Sequence, residues 1–137
     1  MIAALAATTA LGCLADNIYF EAAREPFEGK VAVAQVTMNR AKDGDVCRAV
    51  WAQGRNRAGK KVAAFSWTLG ARWRPKHIDP ATYWECLGIA QRVLAGELRS
   101  DIIGEDVTYY HASYVHPHWT HVERVARIGL HVFYRSE

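Results

Sequence analysis

The residues of this chain best suited to moving a proton lie in the run Ile18-Tyr19-Phe20-Glu21-Ala22-Ala23-Arg24-Glu25-Pro26. Glu21 follows three bulky apolar or aromatic side chains. Neighbours of that kind desolvate a carboxyl group and favour its neutral, protonated form. A protonated Glu at a helix end can hand its proton to a departing sugar oxygen. Glu25 stands one helical turn further on, and Pro26 closes the segment. On residue types alone, an amphipathic helix end with a surface Glu is the commoner arrangement. The elements that carry Glu21 must therefore decide between the two.

Those elements read as mostly helical. Leu11, Leu14, Ala15, Ile18 and Ala22 recur at helical spacing, which predicts a helix over 10–23 capped by Thr8 or Thr9. Glu21 lies beside that stripe. Phe27-Glu28-Gly29 reads as a turn. Residues 30–40 are apolar nearly all round, as a buried strand or a central helix would be, and length and alanine content favour the helix. Asp45 caps a short helix over 46–53 that stops at Gly54. Residues 54–64 read as a basic loop, 65–68 as a short extended piece and 70–78 as irregular. Asp79-Pro80 starts a helix that runs to about Ala95. Residues 108–111 and 127–134 are rich in strand formers, and they pair antiparallel, with the Phe65 piece a candidate third strand. The expected fold class is α+β, mostly helical, one domain over 1–137 with a small antiparallel sheet walling a groove.

Composition narrows the functional classes. The chain has 137 residues, half of them hydrophobic, with five Trp and a formal charge of +3. Between Asp45 and Asp79 there is no acidic residue, while Arg48, Arg55, Arg57, Lys60, Lys61, Arg72, Arg74 and Lys76 fall there. Such a one-signed stretch draws anionic polymers, or is simply a solvated loop. Three cysteines, Cys13, Cys47 and Cys86, allow one disulfide at most, and their spacing does not choose the pair. The apolar start, Met1 to Ala15, lacks a basic leader and is too short to span a bilayer. No phosphate loop, dinucleotide fingerprint or nucleic-acid-binding signature occurs.

The remaining chemistry-bearing side chains are aromatic and imidazole. Trp67, Trp73, Tyr109, Tyr110, Tyr114 and Trp119 sit among polar residues, as rings that stack on sugar faces do. His111, His116, His118 and His121 fall close together. His116 and His118 on a strand would point to one face, as a metal pair can. Pro117 stands between them, and no Cys or carboxylate lies at ligand spacing. Two carboxylates divide acid and base work in most glycoside hydrolysis, and no partner for Glu21 can be placed from spacing. A mechanism with a single acid is therefore permitted.

In order, the motifs resemble the SleB-type cell wall hydrolases, which include spore cortex-lytic enzymes and phage wall-degrading proteins. The resemblance rests on Tyr19-Phe20-Glu21-Ala22-Ala23-Arg24-Glu25-Pro26, then Glu28-Gly29-Lys30-Val31-Ala32-Val33-Ala34-Gln35-Val36 with Asn39-Arg40. Val46-Cys47, Phe65-Ser66, Tyr109-Tyr110-His111 and Ile128-Gly129-Leu130-His131-Val132-Phe133-Tyr134 follow. It spans about residues 10–134. Ala23-Arg24 stands where the family has Arg-Gly, so no role passes to Arg24.

The resemblance implies a lysozyme-like, lytic-transglycosylase fold and cleavage of peptidoglycan between N-acetylmuramic acid and N-acetylglucosamine. Glu21 maps onto the family's catalytic acid. Glu25, Phe65, Ser66, Tyr109, Tyr110, His111, Trp119 and His131 are the expected substrate-binding residues. No metal and no cofactor are expected. The expected partners are glycan strands and, through the basic 55–76 region, anionic wall or outer-membrane polymers. Nucleic acid and a stable membrane span are not expected, and the chain is expected to be a monomer. A compact lysin acting at the wall or periplasm, made in the host cytoplasm if phage-encoded, fits the missing signal. The rivals are a hydrolytic muramidase, a zinc amidase and a non-enzymatic basic binding protein.

Overall fold

A computed structural model describes residues 7–69 and 77–137. The first helix, α1 (Ala10–Ala22), begins where its sequence predicts, with the Thr9 side chain accepting from the Gly12 N–H. It buries Leu14, Ala15, Ile18 and Ala22, while Leu11 stays exposed at its outer end. The second helix, α2 (Phe27–Arg40), starts earlier than expected. Pro26 supplies its extended cap residue, so Phe27-Glu28-Gly29 is its first turn. Its apolar surface runs all round because it is covered on two sides. Val31 and Ala34 pack among the helices, and Ala32, Val33 and Val36 pack against the sheet.

Asp45 caps α3 (Val46–Trp51) through the Arg48 N–H, and Asp79 caps α4 (Pro80–Leu94) through the Thr82 N–H. Both starts follow the sequence reading. The basic stretch expected as a loop is instead a two-stranded hairpin, β1 (Gln53–Arg55) with β2 (Lys61–Ala63). Its turn is made by Asn56, whose Oδ1 accepts from Ala58 and Lys60, and by Gly59 at φ 78°. Trp73 and three of the basic residues, Arg72, Arg74 and Lys76, lie outside the described residues, as does most of the stretch expected to be irregular.

The main sheet has three antiparallel strands in the order β3-β5-β4: β3 (Val107–Ala112), β4 (Val122–Ile128) and β5 (His131–Ser136). The expected strand over 127–134 is in fact the end of β4, a turn and most of β5. Gly129 makes that turn at φ 57°, a region that strains other residues. The third strand is Val122–Ile128, not the Phe65 piece, in which Ser66–Thr68 forms a single 3-10 turn. The α+β class and the small antiparallel sheet are as expected. Two clusters of buried side chains result, one among the helices and one between α2 and the sheet.

Cys13 and Cys47 form a disulfide, and Cys86 is free and buried. The bridge joins the start of α1 to α3 across a sequence separation of 34. A closed loop of that length stabilises the fold by about 3–4 kcal/mol, mainly by restricting the unfolded chain. Reduction, or the Cys13→Ser/Cys47→Ser variant, is expected to lower unfolding stability by that amount. Urea denaturation with and without reductant measures it, and equal midpoints would show that the bridge carries no such load.

Candidate active site

Glu21 sits in the last turn of α1 and is half-buried. Its Oε1 accepts a short hydrogen bond from the Tyr110 hydroxyl on β3. Arg40, the last residue of α2, is the cation whose charge acts on both. Burial raises the Glu21 carboxyl above the ordinary carboxylate range, against the Tyr110 hydrogen bond and the Arg40 charge, which both favour its ionised form. Desolvation wins. Burial likewise pushes the Tyr110 hydroxyl well above its usual range, and the Glu21 charge pushes the same way, so the phenol stays a donor.

Arg40 is held by three contacts. Its Nε donates to the Thr108 carbonyl at 2.7 Å, one terminal nitrogen donates to the Ala64 carbonyl at 3.2 Å, and its guanidinium lies 4.7 Å from the centre of the Phe65 ring. Asn39 beside it donates to the carbonyls of Gly104 and Val107, and its Oδ1 accepts from Gln35. The C-terminal end of α2 thus grips the entry of β3 at three carbonyls. Two residues past Thr108, beyond an irregularity in the β3–β5 register, Tyr110 is delivered to Glu21. Arg40 was not picked out from the sequence. Its signal was its position four residues beyond Val36, on the stripe of α2 that packs toward the sheet.

Glu25 has a different setting from the groove expected for it. It is 9% exposed, and its Oε1 accepts from the Leu130 N–H at 2.8 Å. Lys30 donates to its backbone carbonyl at 2.5 Å and pairs with Glu85 at 3.2 Å. A Cβ on Gly129 would run into that same carboxylate oxygen, and the φ there is positive, so glycine is the residue that fits. His131, also expected in the groove, is buried with its Nδ1 3.5 Å from Glu25, and burial lowers its pKa. Glu25 therefore fastens the end of α1 to the β4–β5 turn.

The other expected site residues divide between the faces of the sheet. Tyr110 lies with Phe133 and His131 on the inner face. Tyr109 and His111 alternate with Tyr110 and gather with Trp119 and Tyr134 in a separate ring cluster. Phe65 is 2% exposed beneath Arg40, and Ser66 is exposed at the start of its turn. The histidines at 116 and 118 are in the loop before β4, not on a strand, and no group of three metal-binding side chains occurs among the described residues.

Several of the other acidic side chains have partners of their own. Asp16 accepts from the Tyr83 hydroxyl, Asp43 and Asp45 pair with Arg48, and Asp79 caps α4. Glu105 pairs with Arg99, while Asp106 and Glu123 pair with Arg135. Among the described residues, no other carboxylate shares a hydrogen bond or ion pair with Glu21, Tyr110 or Arg40.

A carboxyl whose burial favours its protonated form, beside a fixed phenol and guanidinium, is equipment suited to acid–base chemistry. The chain belongs to the cell wall hydrolases: the family model described as Cell Wall Hydrolase matches residues 24–134. The match takes in Arg40 and Tyr110 and begins just past Glu21. No curated protein and no solved structure matches the chain. The chain is thus an enzyme of wall degradation, with peptidoglycan as the substrate class. No helix among the described residues is long and apolar enough to cross a membrane.

The Tyr110→Phe variant tests the electrostatics. It removes a hydrogen bond that favours ionised Glu21, so Glu21 holds its proton to higher pH. The alkaline limb of the rate profile should move up in pH, and the rate at its maximum should fall on the order of tenfold, as for loss of one hydrogen bond to a charged group. Turnover of wall fragments across pH gives both readings. A limb that stays in place or moves down would disprove the coupling.

Proposed function

We propose that the enzyme cuts the glycosidic bond between N-acetylmuramic acid and N-acetylglucosamine as a lytic transglycosylase, with Glu21 as its only acid/base. The observation that carries this is the carboxyl of Glu21, raised by burial, bonded to Tyr110 and faced by Arg40, with no other carboxylate among the described residues in a hydrogen bond or ion pair with these three. In the first step protonated Glu21 gives its hydrogen to the glycosidic oxygen as the C1–O bond breaks, and the N-acetylglucosamine-side chain leaves as an alcohol. The Glu21 carboxylate then takes the proton of the muramic acid C6 hydroxyl, whose oxygen closes on C1. The product is a 1,6-anhydro ring, no water is consumed, and Glu21 is protonated again.

Tyr110 and Arg40 serve the interval between the steps. Both stabilise the carboxylate, so Glu21 does not become too poor an acid to release its proton. The exposed basic hairpin, with Arg55, Arg57, Lys60 and Lys61, would hold the enzyme near anionic wall or outer-membrane polymers. A phage endolysin delivered to the wall is the biological setting that fits best.

Digestion of purified sacculi, with mass spectrometry of the fragments, tests the reaction. Wild type should release anhydro-muramic ends, each lighter by one water than the reducing ends a muramidase leaves. Glu21→Gln should lose at least about a hundredfold in rate, the scale of general acid catalysis. It should also melt no lower than wild type at neutral pH. A carboxyl with a raised folded pKa costs stability once pH exceeds its unfolded value, and the amide removes that cost. Reducing-end products, or full activity in Glu21→Gln, would refute the reading. Binding to intact walls should weaken as salt rises, since exposed charges are screened. Equal retention at low and high ionic strength would remove the hairpin from the account.

A further inference from the structure

The ring cluster on the outer side of β3 borders a pocket of about 230 Å3 lined by His111, His116, Pro117, Trp119, Val122 and Tyr134. Glu21 is not part of it. At that size it falls below the ~300–1,000 Å3 of a drug-sized site and suits one ring.

Its construction separates scaffold from platform. The His111 Nδ1 lies 2.7 Å from the Ala112 carbonyl, which can only accept, so that nitrogen carries the hydrogen. The His111 Nε2 is then the acceptor for the Tyr134 hydroxyl at 2.8 Å. Both ring nitrogens are committed, and His111 stacks on Tyr134 at an interplanar angle of 25°. Trp119 stands edge-on to both at 68° and 89° and remains 40% exposed.

Among the described residues neither the Trp119 indole N–H nor the His116 ring has a hydrogen-bond partner. No carboxylate, lysine or arginine lines the pocket. The loop that brings His116 and Trp119 there ends at His121, whose φ of 59° is uncommon for any residue but glycine and is held by the Glu137 N–H on its carbonyl.

We propose that this pocket is a second saccharide subsite, which takes one uncharged N-acetylhexosamine ring stacked on Trp119. The ring's apolar C–H face meets the indole. Its hydroxyl or acetamido oxygens meet the Trp119 N–H and the His116 imidazole. The tie to the candidate acid is short: Tyr110 touches Glu21 and Tyr109, its chain neighbour, touches the Trp119 ring. β3 is an edge strand, so a glycan can pass round its open side from one face to the other. The subsite gives a strand or its neighbour a hold that does not depend on cleavage. This deepens the proposed reaction and rests on it for its meaning, but not for the binding itself.

The test titrates a soluble N-acetylglucosamine oligomer into the Glu21→Gln protein, with binding read by calorimetry and by the indole signals in NMR spectra. Binding should shift the Trp119 resonance. A further Trp119→Ala change should weaken affinity about tenfold, the scale of one lost aromatic contact. Trp119→Tyr should restore much of it, which separates stacking from damage to the fold. Unchanged affinity in Trp119→Ala, or no binding by the Glu21→Gln protein, would overturn the subsite. Trp119-dependent binding in Glu21→Gln, together with a wild type that leaves sacculi intact, would sustain the subsite and sink the proposed reaction.

Discussion

Keeping a carboxyl out of water is the constraint around which this molecule is arranged. Glu21 gains little from ionising where it sits, because the hydration it would lose exceeds what one phenol and one guanidinium return. Both partners must nevertheless be present. Without them the group would be an ordinary buried acid, reluctant to part with its proton. The cation that helps is itself restrained: burial lowers the pKa of Arg40, and its donors go to the Thr108 and Ala64 carbonyls. A tight ion pair would fix the carboxylate in its charged form. A guanidinium spent on backbone carbonyls leaves the balance with desolvation.

That balance depends on holding α1 still against β3. The helix is tied at both ends. Near its start Cys13 is bonded to Cys47, and just beyond its end Glu25 holds the β4–β5 turn through the Leu130 N–H. Between them Asn17 donates to Thr37 and accepts from the Trp67 indole, so α1, α2 and the turn after Phe65 share one buried polar chain. Each of these groups would be costly to leave unpaired in the interior, so each fixes a distance. The close approach of Gly129 to the Glu25 carboxylate shows how little slack the last tie has.

Much of this was legible in the sequence, and unevenly. Caps at Thr9, Asp45 and Asp79 announce themselves because a short polar side chain before a helical run has a local purpose. The start of α2 was misread, since Pro26 looked like an end when its fixed φ suits a beginning. The strand Val122–Ile128 was hidden by its charges. Glu123, Arg124 and Arg127 face solvent, as an edge strand permits. Glu21 could be singled out because the apolar and aromatic residues just before it already point to a desolvated carboxyl. Arg40 could not, because what makes it matter, the contacts to Thr108 and Phe65, are long-range. The histidine and tyrosine motifs do not say which face of the sheet each residue occupies.

Strand geometry explains that last point and has a consequence for how wall cleavage can be organised. Neighbouring residues on a strand point to opposite faces, so Tyr109-Tyr110-His111 cannot serve one site together. Tyr110 must choose the inner face, because Phe133 and His131 occupy it and the acid is there. Its neighbours are then sent outward by the same geometry that places it. A motif of three polar rings on an edge strand thus builds two surfaces at once, one that tunes an acid and one that offers flat rings to solvent. Because both hang from β3, a shift of that strand would disturb the Glu21–Tyr110 contact and the outer ring cluster alike. This is reason enough for α2 to hold its entry with both Asn39 and Arg40.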